Sequence, residues 1–335
     1  MNAPLVSVKM ITFNHAPFIA QAIEGVLRQK TKFPFELVIG EDCSIDGTRE
    51  IAYRYQEKYP DIIRIVTSDQ NVGMKKNGYR TTKACNGKYI AFCEGDDYWH
   101  HPGKIQKQVD YLEANPDCGM IYSSYDVYHP ESKRTIRDFI KYCNWQIPEQ
   151  WDVQGFVSSD VGSGRGILTC TVMARLSLVN RILEADPYLH QNTKWLMGDT
   201  QLWAAIIAQS RAHFMPESLA THIITSESAT RSKDVKKVAL FNVSNAELML
   251  TLCEKYGLSS TVRRKFIDYW CESALRLALH SQDKDLADKV HEIKKKFNFK
   301  EWCKYFGARN ELIYRGFKLF SSATSIFRKK HTHWL

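Results

Sequence analysis

What the chain lacks narrows its class. No apolar run approaches the roughly 18–20 residues of a membrane-spanning helix, so none is expected. The opening residues, MNAPLVSVKMITF, have no charged start, long apolar block or small-residue cleavage site. They are expected to form a first buried strand rather than a secretory leader. The nine cysteines include no C-x-x-C pair, which excludes the paired-thiol zinc sites. An odd, dispersed set of this kind is expected to stay reduced, in a cytoplasmic compartment. Internal repeats and low-complexity tracts are absent too. Positive charge is scarce in the first 230 residues, which hold 24 basic against 26 acidic; the overall +9 comes from Arg231 onward, with 22 basic against 11 acidic. No recognised nucleic-acid module accompanies that basic stretch, so no nucleic-acid partner is expected.

What is present is alternation. Apolar, β-branched runs at 5–13, 36–42, 62–68, 88–94 and 118–124 read as strands. Amphipathic or capped segments at 17–29, 44–60, near 77–86 and from Pro102 to about Asn115 read as helices. This order predicts an α/β fold, a mostly parallel sheet flanked by helices. Residues 126–166 lose the pattern and read as substrate-binding loops, 166–174 as a further strand, and 195–209 as a turn into a helix. A loop or linker is expected at 226–234, then a helical, basic C-terminal extension over 235–335. In parallel sheets, ligands bind beyond the C-terminal strand ends. That rule gathers Thr12 to His15, Asp42 to Ser44 and Glu94 to Trp99 on one rim.

The segment AFCEGDDYWHHP crowds Glu94, Asp96 and Asp97 at the end of a buried strand. Like charges repel, so local stability does not account for them. Either solvent screens them in a turn, or a cation belongs there. Carboxylates are hard-oxygen donors suited to Mg2+ or Mn2+, ions that keep waters and take substrate phosphates as further ligands. A nucleotide-sugar meets that description: breaking its glycosidic bond leaves a diphosphate whose growing charge an ion neutralises.

These motifs, taken in order, resemble a known family. VSVKMITFNHAPFIAQAIEGVLRQ is similar to the opening of family-two glycosyltransferases with the GT-A fold. GEDCSIDGT (40–48) resembles their second-strand signature, and NVGMKKN (71–77) with ACNGKYIAFCEGDDYW (84–99) resembles the approach to their D-x-D element and the element itself. The resemblance runs over about 5–225 and is densest up to 124. It implies a Rossmann-like GT-A domain over 1–225 and a metal-dependent, inverting transfer from a UDP-sugar, a hexose donor, to a saccharide or lipid-linked saccharide. The product would be a surface polysaccharide or lipopolysaccharide. The rival nucleotidyltransferases carry a glycine-rich G-x-G-T-R loop after the first strand, where this chain has TFNHAP. A second rival is a non-catalytic carbohydrate-binding scaffold on a degenerate version of the same fold.

Residue by residue, the resemblance implies that Thr12, Phe13 and Asn14 line the nucleoside pocket, with Phe13 stacking on the base. Asp42 would accept from the base imide N–H, or else cap the next helix. Asp96 would bind the ion, Glu94 would face the ribose or a metal-bound water, and Asp97 would orient the donor sugar. Asn77 stands where many relatives have arginine, which shifts diphosphate binding toward Lys76, Arg80 and the ion. Asp199 in MGDTQLW matches the general base; as a helix N-cap it has a structural role as well. Asp186 and Asp160 are weaker candidates for the base. His222 does not occupy the family's histidine position and reads as a loop or surface residue. Ser228 and Arg231 would belong to a lid. Trp99, Trp195 and the aromatics of 126–166 would meet the acceptor. The basic aromatic stretch 294–330, including KKKFNFKEWCKYF and a stripe of Ile313, Phe317, Phe320, Thr324 and Phe327, has two readings. It rests on an anionic membrane surface at the inner face of the cytoplasmic membrane, or it packs on the catalytic domain or a second subunit of a homodimer.

Overall fold

The short apolar runs near the N-terminus pair with one another in parallel. In the computed structural model, which describes residues 3–159, 166–225 and 234–315, β1 (Val6–Thr12) aligns with β2 (Phe35–Glu41), and Val6 opposes Phe35. β2 pairs in turn with β3 (Ile63–Val66), and β1 with β4 (Tyr89–Phe92), all parallel. The crossovers are α1 (Ile19–Leu27), α2 (Thr48–Lys58) and α3 (Met74–Lys83). Every residue of β4 is buried, as expected of a central strand covered on both faces. α1 buries Ile19, Ala22, Ile23 and Val26. Gly25 on the same face is required by contact, because a Cβ there would lie 2.8 Å from the Trp99 carbonyl oxygen.

Beyond β4 the sheet becomes mixed. β5 (Tyr98–Trp99) and α4 (Lys104–Ala114) precede the long β6 (Cys118–His129), which folds back into β7 (Arg134–Ile136). The stretch 126–166, expected to be irregular, therefore begins as sheet. It then forms α5 (Phe139–Tyr142) and α6 (Val153–Ser159). The strand expected at 166–174 is a 3-10 turn at Thr169–Thr171 followed by a short β8 (Met173–Arg175). β8 inserts antiparallel between β4 and β6. α7 (Leu176–Ala185), α8 (Pro187–Gln191) and α9 (Thr200–Ile207) lead to β9 (Arg211–Ile223), a strand the sequence reading missed. β9 lies parallel to β6 and antiparallel to β5, giving the order β3-β2-β1-β4-β8-β6-β9-β5 with β7 on β6. All nine cysteines are free thiols.

The chain divides into two compact units, Met1–Thr225 and Ser226–Leu335. The second is helical: α10 (Val235–Lys255), α11 (Ser260–Ser281), α12 (Lys284–Ile293) and α13 (Phe299–Arg309). Side chains of Asp234, Ser259, Asp283 and Asn298 cap their first turns, and Asn298 and Glu301 form a capping box. Trp270, Ala274, Leu275, Ala278, Ala287 and Val290 make its core. Among the described residues, no helix is long and apolar enough to cross a membrane. Asp160, Ser228, Arg231 and the stripe from Phe317 to Phe327 lie outside the described residues.

Candidate active site

The C-terminal ends of β1, β2 and β4 meet at one rim. Thr12 ends β1, buried, and its backbone oxygen accepts from the Asp42 N–H (3.1 Å). Phe13 follows at 42% exposure. Asn14 adopts φ 55°, a left-handed conformation that asparagine tolerates. Its N–H donates to Ser44 Oγ (3.0 Å) and its Oδ1 accepts from the Ile45 N–H (3.0 Å), tying the β1 loop to the β2 loop. Asp42 does not cap α2. Its carboxylate accepts from the N–H groups of Val72 and Gly73 (both 2.9 Å) and lies 3.5 Å from Arg80 Nη2, so it anchors the entry to α3. Beneath it, Glu41 accepts from the Ser44 N–H and from Arg49 (both 2.6 Å), which brace the turn.

Asn77 is buried and its amide is used internally: Nδ2 donates to the Gly40 oxygen (2.7 Å) and Oδ1 accepts from Arg80 Nε (3.0 Å). It positions Arg80, whose Nη2 also donates to the Glu41 oxygen (2.8 Å).

The acidic loop after β4 is a crowd of carboxylates held unequally. Gly95 is needed there, since a Cβ would fall 2.6 Å from Thr12 Oγ1. Asp97 is buried; its Oδ1 accepts from the Ile223 N–H (2.9 Å) and lies 2.9 Å from His222 Nδ1. His222 is thus neither a loop nor a free surface residue. Burial works against its charged form, but Asp97, then Asp96 and Glu94, outweigh it and lift its pKa to about 9. Asp96 remains open: His15 Nε2 lies 4.0 Å from its Oδ2, and a third of its side chain is exposed. Burial and then Asp97 hold its carboxyl above the ordinary value. Burial pushes Glu94 well above the carboxylate range, and Asp97, Asp96 and Asp199 push the same way. Glu94 Oε2, Thr12 Oγ1 and His15 Nδ1 are buried without a hydrogen-bond partner.

Asp199 sits at the N-cap of α9. Its Oδ1 accepts from the Thr200 N–H (2.7 Å) and its Oδ2 from Thr169 Oγ1 (2.6 Å). Its charge reaches both Glu94 and Lys75. Residues more than a hundred positions apart therefore border one crevice. Asp186, the alternative base, caps α8 by accepting from the Leu189 N–H (2.9 Å).

Two expected acceptor contacts are corrected. Trp99 is 3% exposed in the main core, its indole N–H donates to the Cys170 oxygen (2.8 Å), and the buried Lys104 ammonium lies 4.3 Å from its ring centroid. Trp195 is 2% exposed and packs edge-on against Tyr188, with centroids 5.3 Å apart. Neither ring offers a free face to a sugar. A narrow aromatic recess is lined by Tyr122, Tyr125, Trp145 and Trp151. Lys75, Thr169 and His222 were missed or discounted in the sequence, and His15 was placed on the rim without a role. Only His15, directly after the β1 motif, carried a local signal.

Among the described residues, no three His, Cys, Asp or Glu side chains form a preassembled metal cluster. The donors fit an ion that arrives with substrate: an open Asp96 and an orphaned Glu94 oxygen supply the one or two carboxylates that Mg2+ or Mn2+ needs when phosphates complete the shell. A cation would also relieve the mutual repulsion that raises Glu94 and Asp96.

Residues 7–170 match the family model Glycosyl transferase family 2. An uncharacterized protein of Mycobacterium tuberculosis is 34% identical over 128 residues, 38% of this chain and 37% of that protein. The putative teichuronic acid biosynthesis glycosyltransferase TuaG of Bacillus subtilis is 32% identical over 124 residues, 37% of this chain and 48% of TuaG. The matched segment thus spans less than half the length of these relatives. Among solved structures, S. aureus TarS residues 1–349 in complex with UDP-GlcNAc superposes with a TM-score of 0.56 at 15% identity, covering 90% of this chain and 79% of that one. Mannosyltransferase PcManGT from Pyrobaculum calidifontis, in complex with GDP-Man and Mn2+, gives 0.55 at 15% identity, covering 92% and 86%. At that identity these two show the fold.

Proposed function

Residues 7–170 are a glycosyl transferase family 2 domain, and on that premise we propose that the chain transfers a hexose from a UDP-sugar, with inversion, to a saccharide or lipid-linked saccharide of a surface polysaccharide. The observation that carries this reading is the convergence of Asp199 with the acids after β4. An inverting displacement needs a base on one side of the sugar and a stabilised leaving group on the other, and this reading assigns those parts to Asp199 and to the acids after β4.

Phe13 stacks on the base beside Thr12 and Asn14. Asp42 accepts from the imide N–H of uracil with the carboxylate positions left over from Val72 and Gly73. Asp96, assisted by Glu94, would hold Mn2+ or Mg2+; when bound, the ion supplies positive charge to the departing diphosphate. Asp97 is pinned by His222 and the Ile223 N–H, which fixes the loop on which Asp96 stands. Asp199 removes the proton of the attacking hydroxyl. Thr169 and Thr200 take one acceptor position on each of its oxygens and orient the carboxylate. The acceptor lies toward the recess of Tyr122, Tyr125, Trp145 and Trp151.

In the second unit, Phe299 (82% exposed) and Leu312 (77% exposed) are joined on the surface by the exposed Lys295, Lys296 and Lys300, close to Phe299 in sequence. That combination suits an anionic membrane surface, where a lipid-linked acceptor resides. The transferase reading is tested by following UDP release from UDP-hexoses with Mn2+ and after EDTA. Release that EDTA abolishes is expected. No release from any donor, together with retained glycan binding, would replace the reading with a carbohydrate-binding scaffold.

A further inference from the structure

One cation of the crevice is left unused by this mechanism. Lys75 sits in the first turn of α3, directly after the segment that Asp42 anchors. Its Nζ is buried and has no hydrogen-bond partner among the described residues. It lies 5.9 Å from the ring centroid of Trp195, whose own Nε1 is also buried and without an acceptor. The exposed Lys194 places a second ammonium 5.9 Å from the same ring. The charge of Asp199 acts on Lys75, but no hydrogen bond joins the two. Leaving such donors unpaired in a buried setting is costly, and more so for a charge. Burial brings the Lys75 pKa down to about 8 against the pull of Asp199. Two neighbouring buried donors without partners, one of them an ammonium, call for an acceptor bearing negative charge.

We propose that Lys75 and the Trp195 N–H form a subsite for an anionic oxygen group, a carboxylate or phosphate, carried by the sugar substrate at the Asp199 side of the crevice. The inference rests on the transferase reading and specifies its substrate class as acidic. The acidic group belongs either to the donor sugar or to the acceptor. Two binding experiments with Mn2+ separate these sources. In one, UDP-glucuronate is compared with UDP-glucose. In the other, at saturating UDP, glucuronate and glycerol 3-phosphate are compared with glucose and glycerol. Wild-type protein is expected to prefer the anionic probe at least tenfold in one arm, which identifies the source. Lys75→Met should erase the preference and Lys75→Arg should keep it, with UDP affinity unchanged in both. Lys75→Gln serves in parallel should the Met variant fail to give a cooperative melt. Equal affinities in both wild-type arms, a preference that survives Lys75→Met, or a loss of UDP affinity itself would each overturn the proposal. Absence of UDP binding in wild-type protein would instead overturn the transferase reading.

Discussion

Asp199 is asked to be both a base and a helix cap, and Asp199→Asn separates the two. Asparagine caps helices about as well as aspartate. Its Oδ1 can keep the 2.7 Å bond from the Thr200 N–H. At the other end, the Thr169 hydroxyl, now donating across 2.6 Å, can rotate to accept from the new amide. The fold should therefore lose about 1 kcal/mol or less. An amide cannot take a proton from a hydroxyl, so turnover should fall about 10²–10⁴-fold, equivalent to about 3–5 kcal/mol in the barrier. UDP affinity should stay within about twofold, because the proposed nucleoside contacts lie at the ends of β1 and β2. Three readouts check this: UDP release under turnover, titration calorimetry with UDP and Mn2+, and thermal unfolding. Turnover within a few-fold of wild type would refute the base. A weakened melt accompanied by lost UDP binding would show that the cap is the whole role of Asp199. Thr169→Val leaves the cap intact and frees Oδ2; it should lower turnover by about tenfold while the melting temperature barely moves.

Phe13→Ala should weaken UDP binding by about 0.5–1.5 kcal/mol, roughly 2–12-fold, with an unchanged melt because the ring is 42% exposed; unchanged affinity removes the stacking assignment. Lys104 is fully buried, its Nζ donating to Gln108 Oε1 (2.8 Å), and burial lowers its pKa from 10.5 to about 7. Between those values the unfolded chain binds the proton and the folded chain does not. Stability should thus rise with pH from about 7 toward 10 by up to about 1.4 kcal/mol per pH unit. The Gln108 bond and the Trp99 ring favour the charged form and shrink that slope. Denaturant midpoints of wild type and Lys104→Met should converge as pH rises, and parallel curves would refute the burial argument. Replacing Phe299 and Leu312 by Ser should lower binding to phosphatidylglycerol vesicles at least tenfold, on the basis of about 1.5–3 kcal/mol per buried apolar side chain; equal sedimentation with vesicles would favour protein packing for that face.

The parallel half of the sheet was legible because each of its signals is local. Val6, Val8 and Met10 alternate along β1, α1 shows its buried stripe, and motif residues at strand ends fall where the rim rule puts them. The other half depends on partners distant in sequence. β9 contains Pro216 and Glu217 and an irregular burial pattern, so its period gives no strand signal; it becomes a strand because β6 and β5 present free edges on either side. That one missed strand explains the misjudged histidine. Placing Ile223 and His222 against Asp97 requires β9 to run parallel to β6, which pairs His222 with Val127, and antiparallel to β5, which pairs Thr221 with Tyr98. Nothing within several residues of His222 encodes this. The tryptophans failed for the complementary reason. An aromatic beside an acidic motif has the same composition whether its ring faces a sugar or the core, and Trp99 is decided by Gly25, whose missing side chain lets its backbone approach α1. The placement of side chains at the ends of consecutive strands is thus readable from the chain. Chemistry assembled by the closing strand, including the Asp97–His222 pair that steadies the acidic loop, becomes visible only once the sheet order is known.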